Sequence, residues 1–134
     1  MKKALIDTDI LSYFLKGDDH VIDKVQECLV LNDQLSFSEI TYFEILAGLE
    51  FKQANQQLEK FDDFVSKCSI IKLTLNSIKI SAKIYGELRR KGIQMGTPDI
   101  LIAGIAIENK LNLITNNMKD YHSIEELSLE NWKN

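Results

Sequence analysis

The sequence predicts an α/β fold: a three-layer α/β/α arrangement around a central parallel sheet of four to five strands. Three observations carry this. Short apolar runs of strand type ("ALI", "QLSFS", "SIIKLT", "LNLIT") are spaced along the chain. Segments with helical spacing of apolar residues separate them. Strands that alternate with helices pair in parallel through right-handed crossovers, which puts helices on both faces. The 134 residues are read as a single domain, 1–134, because one proline and no low-complexity tract leave no linker.

The elements follow in order. Ala4-Leu5-Ile6 is a buried strand that stops at Asp7. Ile10, Leu11, Phe14 and Leu15 then keep helical spacing until Gly17. Residues 19–31 form a second helix, with Val21, Ile22, Val25 and Leu29 on one side. Residues 34–38 are the second strand, and Ser38 caps a helix over 39–51. That helix carries Ile40, Phe43, Ala47 and Phe51 around Glu44, and Tyr42, Ile45, Leu46 and Leu49 opposite, so it is expected to be largely buried. A further amphipathic helix covers 53–67, and 69–74 is the third strand. The helix over 75–91 closes on Arg89, Arg90 and Lys91 before Gly92, the basic last turn and glycine stop of a helix C-terminus. In "GTPDILIAGIAIENK", Thr97 suits an N-cap, Pro98 the first helical position and Asp99 the positive first turn. Residues 111–115 are the fourth strand, followed by a short polar turn-helix and the tail.

Composition excludes several classes. A formal net charge of −4 argues against a protein that holds nucleic acid by bulk charge alone. No signal-peptide pattern and no apolar stretch of membrane-spanning length is seen, so a cytoplasmic protein without membrane contact is expected. Cys28 and Cys68 lack CxxC spacing and read as free thiols, and His20 and His122 are too few and too far apart for a zinc site.

Sites in open parallel sheets form beyond the carboxyl ends of the strands. Asp7 follows the first strand there, and Asn116, Asn117 and Asp120 follow the fourth. Asp7 and Asp9 each also suit the start of a helix, and for Asp9 that reading is kept. Glu44 sits in an apolar stripe, where an unpaired carboxylate is costly without a partner or a cation. Asp99 shares its face with Ile102, Ala103 and Ala106, and the helix it opens is apolar around its circumference until Glu108. Its start is therefore expected inside the protein rather than on the rim. A dipole preference of roughly 0.3–1 kcal/mol does not by itself justify burying a carboxylate. Asp7, Glu44, Asp99 and Asp120 thus have routes to one edge of one sheet. Crowded carboxylates raise one another's pKa unless a cation neutralises them, and all-oxygen donors select Mg²⁺ or Mn²⁺. Such a cation suits phosphodiester hydrolysis.

The ordered set "IDTDIL", "EI..G", "TPDILIAGIA" and "ITNN..DY" resembles a PIN domain, and more narrowly the VapC-type ribonuclease toxins of prokaryotic toxin–antitoxin pairs. The resemblance runs from residue 3 to Trp132. It implies an acidic cluster that binds Mg²⁺ or Mn²⁺ and cleaves single-stranded RNA. Asp7 matches the first acid, Glu44 the second and Asp99 the third, with one cation at Asp7 and Asp99 and Glu44 close by. The fourth position departs from the pattern: Asn117 stands near it and Asp120 follows, and either can complete the site. Thr115 and Asn117 are candidates for orienting a water or the substrate phosphate. The resemblance further implies a tRNA or rRNA substrate, a small antitoxin packed into a groove, and a homodimer.

Three rivals are weighed. "DTDIL" matches the opening of a haloacid-dehalogenase-type phosphatase with Asp7 as nucleophile, but Leu11 stands where Thr or Val belongs. A receiver domain needs an aspartate ending a middle strand, where this chain has Leu73-Thr74. A PIN-fold module that binds RNA or protein without cutting would not need Asp7, Glu44 and Asp99 together.

Overall fold

A computed structural model describes residues 2–133. In chain order these form β1 (Ala4–Ile6), α1 (Thr8–Leu15), α2 (Asp19–Leu31), β2 (Ser36–Ser38), α3 (Glu39–Phe51) and α4 (Asn55–Val65). There follow β3 (Ser69–Ile71), α5 (Leu75–Arg90), α6 (Thr97–Glu108), β4 (Asn112–Ile114), α7 (Met118–Tyr121) and β5 (Ser128–Glu130). Strand β4 lies between β1 and β5, and β2 pairs with β3, with every pairing parallel. Strand β2 lies against β1, so the strands run β3-β2-β1-β4-β5 across the molecule.

Period-two alternation on the central strands sorts the helices into two layers. Leu5 and Leu113 are register partners and enter a core with Ile84 and Leu88 of α5 and Ile102, Ala103 and Ala106 of α6. Their neighbours Ile6 and Ile114, also partners, point the other way. They meet Ile10 and Leu11 of α1, Val21 and Val25 of α2, and Phe61 of α4. The expected three-layer α/β/α fold is therefore present. Among the described residues there are five strands, the upper end of the expected four to five, and the fifth lies in the tail, where the sequence pattern places no element. There "SLE" has one apolar residue in three, and it pairs because β4 offers it an open edge.

Two local readings are corrected. Helix α3 is not largely buried: Phe43 is 68% and Phe51 89% exposed, and Thr41 alone in it is fully covered. Its other apolar residues, including Tyr42, Ile45, Leu46 and Leu49, are half-buried against the α4 side. The two-sided apolar pattern is one core face plus one open face. The N-cap of α6 is Gly96, one residue before Thr97, with Pro98 still in the first turn. Gly96, Thr97 and Pro98 are exposed, so α6 starts at the rim and becomes buried only from Ile100 inward. Gly17 and Gly92 close α1 and α5 with φ of +88° and +76°, the left-handed conformation that glycine adopts without strain.

The placement of α6 rests on close contact with α5. A Cβ on Gly104 would collide with Ser81 Oγ and come within 2.6 Å of the Ser77 carbonyl. Ser81 Oγ donates across the same contact to the Ile100 carbonyl at 2.9 Å. This seam fixes the helix that carries Asp99. Gly104→Ala should destabilise the fold by about 1–3 kcal/mol, because overpacking against backbone outweighs the ~1 kcal/mol helix-propensity gain. Gly48→Ala in α3, where nothing lies within 4 Å of an added Cβ, should stabilise by up to about 1 kcal/mol. Denaturant unfolding of both variants checks the opposite signs.

Candidate active site

Asp7 is the residue where strand, helix and site meet. Its N–H still bonds to the Ile114 carbonyl at 2.8 Å, continuing the β1–β4 ladder. Its carboxylate caps α1, with Oδ1 accepting the Thr8 N–H at 2.8 Å, and its Oδ2 accepts from Thr115 Oγ1 at 2.8 Å. Thr115, buried at the end of β4, is itself fixed by the Asn117 N–H at 3.0 Å and by its own N–H on the Glu130 carbonyl. With 4% of its surface exposed, Asp7 is a buried acid. Burial first, then the Asp9 charge and more weakly that of Asp99, push its pKa up to about 7, against the Thr115 and Thr8 hydrogen bonds.

Asp9 belongs to the same cluster, so reading it only as a helix-start acid was incomplete. Its Oδ1 accepts the Ile10 N–H at 2.7 Å, and its Oδ2 accepts the Asn116 N–H at 3.0 Å, tying α1 to the turn after β4. Burial raises its pKa as well. Its second partner lies 107 residues away, and only the β1–β4 pairing brings the two together.

Glu44 projects from α3 towards α1, where its Oε1 accepts from Thr8 Oγ1 at 2.7 Å. Thr8 Oγ1 also contacts Thr41 Oγ1 at 2.9 Å, and Thr41 is anchored through its N–H to Ser38 Oγ. Each hydroxyl has one proton to give and a carboxylate accepts. The chain Thr41–Thr8–Glu44 therefore has one direction of donation, towards the acid. Asp99, in the first turn of α6, is half-buried. Burial raises its pKa first, the nearby Tyr121 hydroxyl lowers it, and the charges of Glu44, Asp120 and Asp9 raise it further.

Asp7, Asp9, Glu44 and Asp99 line one end of a cleft of about 930 Å³, and Asn117 borders it. Asp120 is exposed on α7, bonded to Asn117 Nδ2 at 3.1 Å, and reaches the cluster through its charge on Asp99. The cleft continues between α1, α3 and α4 over Leu15, Ile45, Leu49, Phe61 and Phe64, with Lys16, Lys52 and Lys60 along it. Thr8, Thr41 and Asp9 went unrecognised in the sequence. Threonine is common in first turns, and the hydroxyl relay needs a contact across 33 residues.

Among the described residues no three His, Cys, Asp or Glu side chains form a ready-made metal cage. Cys28 and Cys68 are free and half-buried, with burial raising both thiol pKa values. The carboxylates that do converge are a hard, all-oxygen donor set. Mg²⁺ commonly takes one or two carboxylates and keeps several waters, which suits these residues better than a cage would.

The metal-free protein should show inverted acid behaviour. The folded pKa of Asp7 lies above its ordinary 3.8, so the favourable contribution is complete below about 4 and is lost as pH rises through about 7. Melting temperature in EDTA should therefore fall between pH 5 and pH 8, and Asp7→Asn should flatten that slope. The ceiling is on the order of 4 kcal/mol for a shift of this size. Thermal scans of both proteins across this range check it.

The chain matches the PIN domain family model over residues 4–126. It is 32% identical over 129 residues to a protein named ribonuclease VapC2 from Rickettsia felis, covering 96% of each chain. It is 28% identical over 134 residues to the tRNA(fMet)-specific endonuclease VapC of Salmonella typhimurium, covering 98% of this chain and 99% of that one. Among solved structures it superposes on the VapBC2 complex of Rickettsia felis bound to a promoter DNA fragment. There the TM-score is 0.87 at 32% identity, over 96% of this chain and 98% of the other. DNA-bound VapBC from Salmonella typhimurium gives the same TM-score at 28% identity, over 98% and 99%.

Proposed function

The chain belongs to the PIN-domain family, among its VapC ribonucleases, and from that premise we propose an endoribonuclease, the toxin of a toxin–antitoxin pair, that hydrolyses RNA at the acidic end of the cleft. The observation that supports this most is the gathering of Asp7, Asp9, Glu44 and Asp99 where β1, α3 and α6 meet, with Asp7 held near neutrality in its proton affinity. A fold does not need such a cluster, and buried like charges work against it. Neither the phosphatase nor the non-cutting module is favoured, since the relatives named above are ribonucleases and endonucleases.

The cofactor in this reading is Mg²⁺ or Mn²⁺, with Asp7 and Asp99 as the residues that would hold it and Glu44 close by. When bound there, the cation neutralises the crowded acids and stabilises charge on a phosphate during in-line displacement by water. The chain's own groups prepare the site. Thr115 fixes one oxygen of Asp7, and Thr8 fixes Oε1 of Glu44, leaving Oε2 as the acceptor towards the cleft. Asn117 and Asp120 stand at the rim, where they can orient the substrate. Lys16, Lys52 and Lys60 supply local positive charge for an RNA backbone on a protein whose net charge is −4.

The same cleft accounts for a small antitoxin as partner. Its apolar length suits the side chains of a docked segment, whose own basic group would reach the acids. Outside the cleft, the exposed Phe43 and Phe51 offer an apolar face for a second copy of the chain. The Salmonella relative is named for tRNA, which supports tRNA as the substrate class, and the place of action in this reading is the cytoplasm. Among the described residues no helix is long and apolar enough to cross a membrane.

Incubation with tRNA should give cleavage that requires Mn²⁺ or Mg²⁺ and stops with EDTA. Asp99→Asn should lower the rate by at least ~100-fold. Equal cleavage in all arms, read on denaturing gels, would remove this reading.

A further inference from the structure

Two polar groups at the site make no close hydrogen bond, and they face each other. The Tyr121 side chain is fully buried at the end of α7 and belongs to the same core cluster as Ile102 and Ala103 of α6. Its hydroxyl is the one buried side-chain oxygen or nitrogen among the described residues that makes no hydrogen bond. On the other side, Asp7, Asp9 and Glu44 each accept a hydrogen bond from the chain. Asp99 receives no donor at full bonding distance among the described residues, but the Tyr121 hydroxyl stands close enough to lower its pKa, an effect second only to that of burial. The Tyr121 hydroxyl lies towards Asp99, with Asp7 and Asp9 also near enough for their charges to act on it.

Packing alone does not account for this tyrosine. An unsatisfied buried hydroxyl costs roughly 1–3 kcal/mol, and phenylalanine would fill the same space without that cost. Burial and the surrounding carboxylates push the phenol pKa far up, so the group stays protonated and can only donate towards the acids. The backbone supports a fixed placement. Thr115 Oγ1 holds the Asn117 N–H at 3.0 Å, and the Asn117 carbonyl receives the Tyr121 N–H at 3.4 Å. The turn that carries Tyr121 is thus tied to the hydroxyl that holds Asp7.

We infer that Tyr121 is a positioning residue for Asp99, its hydroxyl donating to that carboxylate when a divalent cation occupies the site. The pattern then becomes regular: Thr115 serves Asp7, Thr8 serves Glu44 and Tyr121 serves Asp99. Partners that orient metal-holding carboxylates in this way commonly matter almost as much as the carboxylates. The inference rests on the metal-dependent reading above.

Tyr121→Phe separates this role from a structural one. Three quantities are needed for wild type and variant: the melting temperature in EDTA, the Mn²⁺ affinity by calorimetry without RNA, and kcat and KM for RNA cleavage. The expected result is an unchanged or higher melting temperature, Mn²⁺ affinity lower by roughly 10–100-fold, and a reduced kcat at unchanged KM. A variant with wild-type Mn²⁺ affinity and kcat overturns the inference alone. So does a variant whose melting temperature falls together with its affinity, since that is the mark of a structural hydroxyl. A wild type that binds no Mn²⁺ overturns the metal reading, and this inference with it.

Discussion

Mutual repulsion among carboxylates held out of water is the constraint around which this molecule is arranged. Asp7 is buried beside Asp9 and near Asp99, and its proton affinity rises accordingly. An acid in that position would ordinarily turn outward to water, but Asp7 cannot. Its N–H is part of the β1–β4 ladder and its side chain caps α1. The helix that carries the half-buried Asp99 is fixed as well, because α6 is seated on α5 at Gly104 too closely for any larger residue. Rigid secondary structure supplies the confinement, and donated hydrogen bonds from threonine hydroxyls and backbone N–H groups offset part of the cost. What remains is a site with an excess of negative charge, which a divalent cation would relieve.

That excess also gives the cleft its division of labour. Its acidic end suits a cation and a phosphate, its lysines a nucleic-acid backbone, and its apolar wall a protein side chain. An occupant of the apolar wall that placed a cationic group at the acids would neutralise them much as a metal does. Substrate cleavage and inhibition would then compete for one feature, the unbalanced charge, and no separate regulatory site would be needed.

Much of this was legible in the sequence. The parallel sheet and both helical layers follow from the alternation of apolar runs with helical periods, and Asp7 and Asp99 follow from lying at strand and helix ends. Glu44 stood out as a carboxylate in an apolar stripe. The remainder depends on contacts distant in sequence. Asp9 looked complete as a helix-start acid until the turn after β4 gave its second oxygen a partner. Thr8 and Tyr121 have local readings, a first-turn threonine and a core aromatic, that are adequate until their hydroxyls are located. The exposure of Phe43 and Phe51 escaped because a two-sided apolar helix looks the same whether its second face meets core or water. β5 escaped because a three-residue edge strand carries too few side chains to show a period.

Burial, reinforced by the neighbouring acids, keeps Asp7 partly protonated near neutrality until a cation arrives, and the proton count on binding tests this most directly. Mn²⁺ would be titrated calorimetrically into the metal-free protein in buffers of different ionisation enthalpy, at pH 6 and at pH 9. Release of about one proton per ion is expected at pH 6 and about none at pH 9. Binding with the same proton count at both values would contradict it.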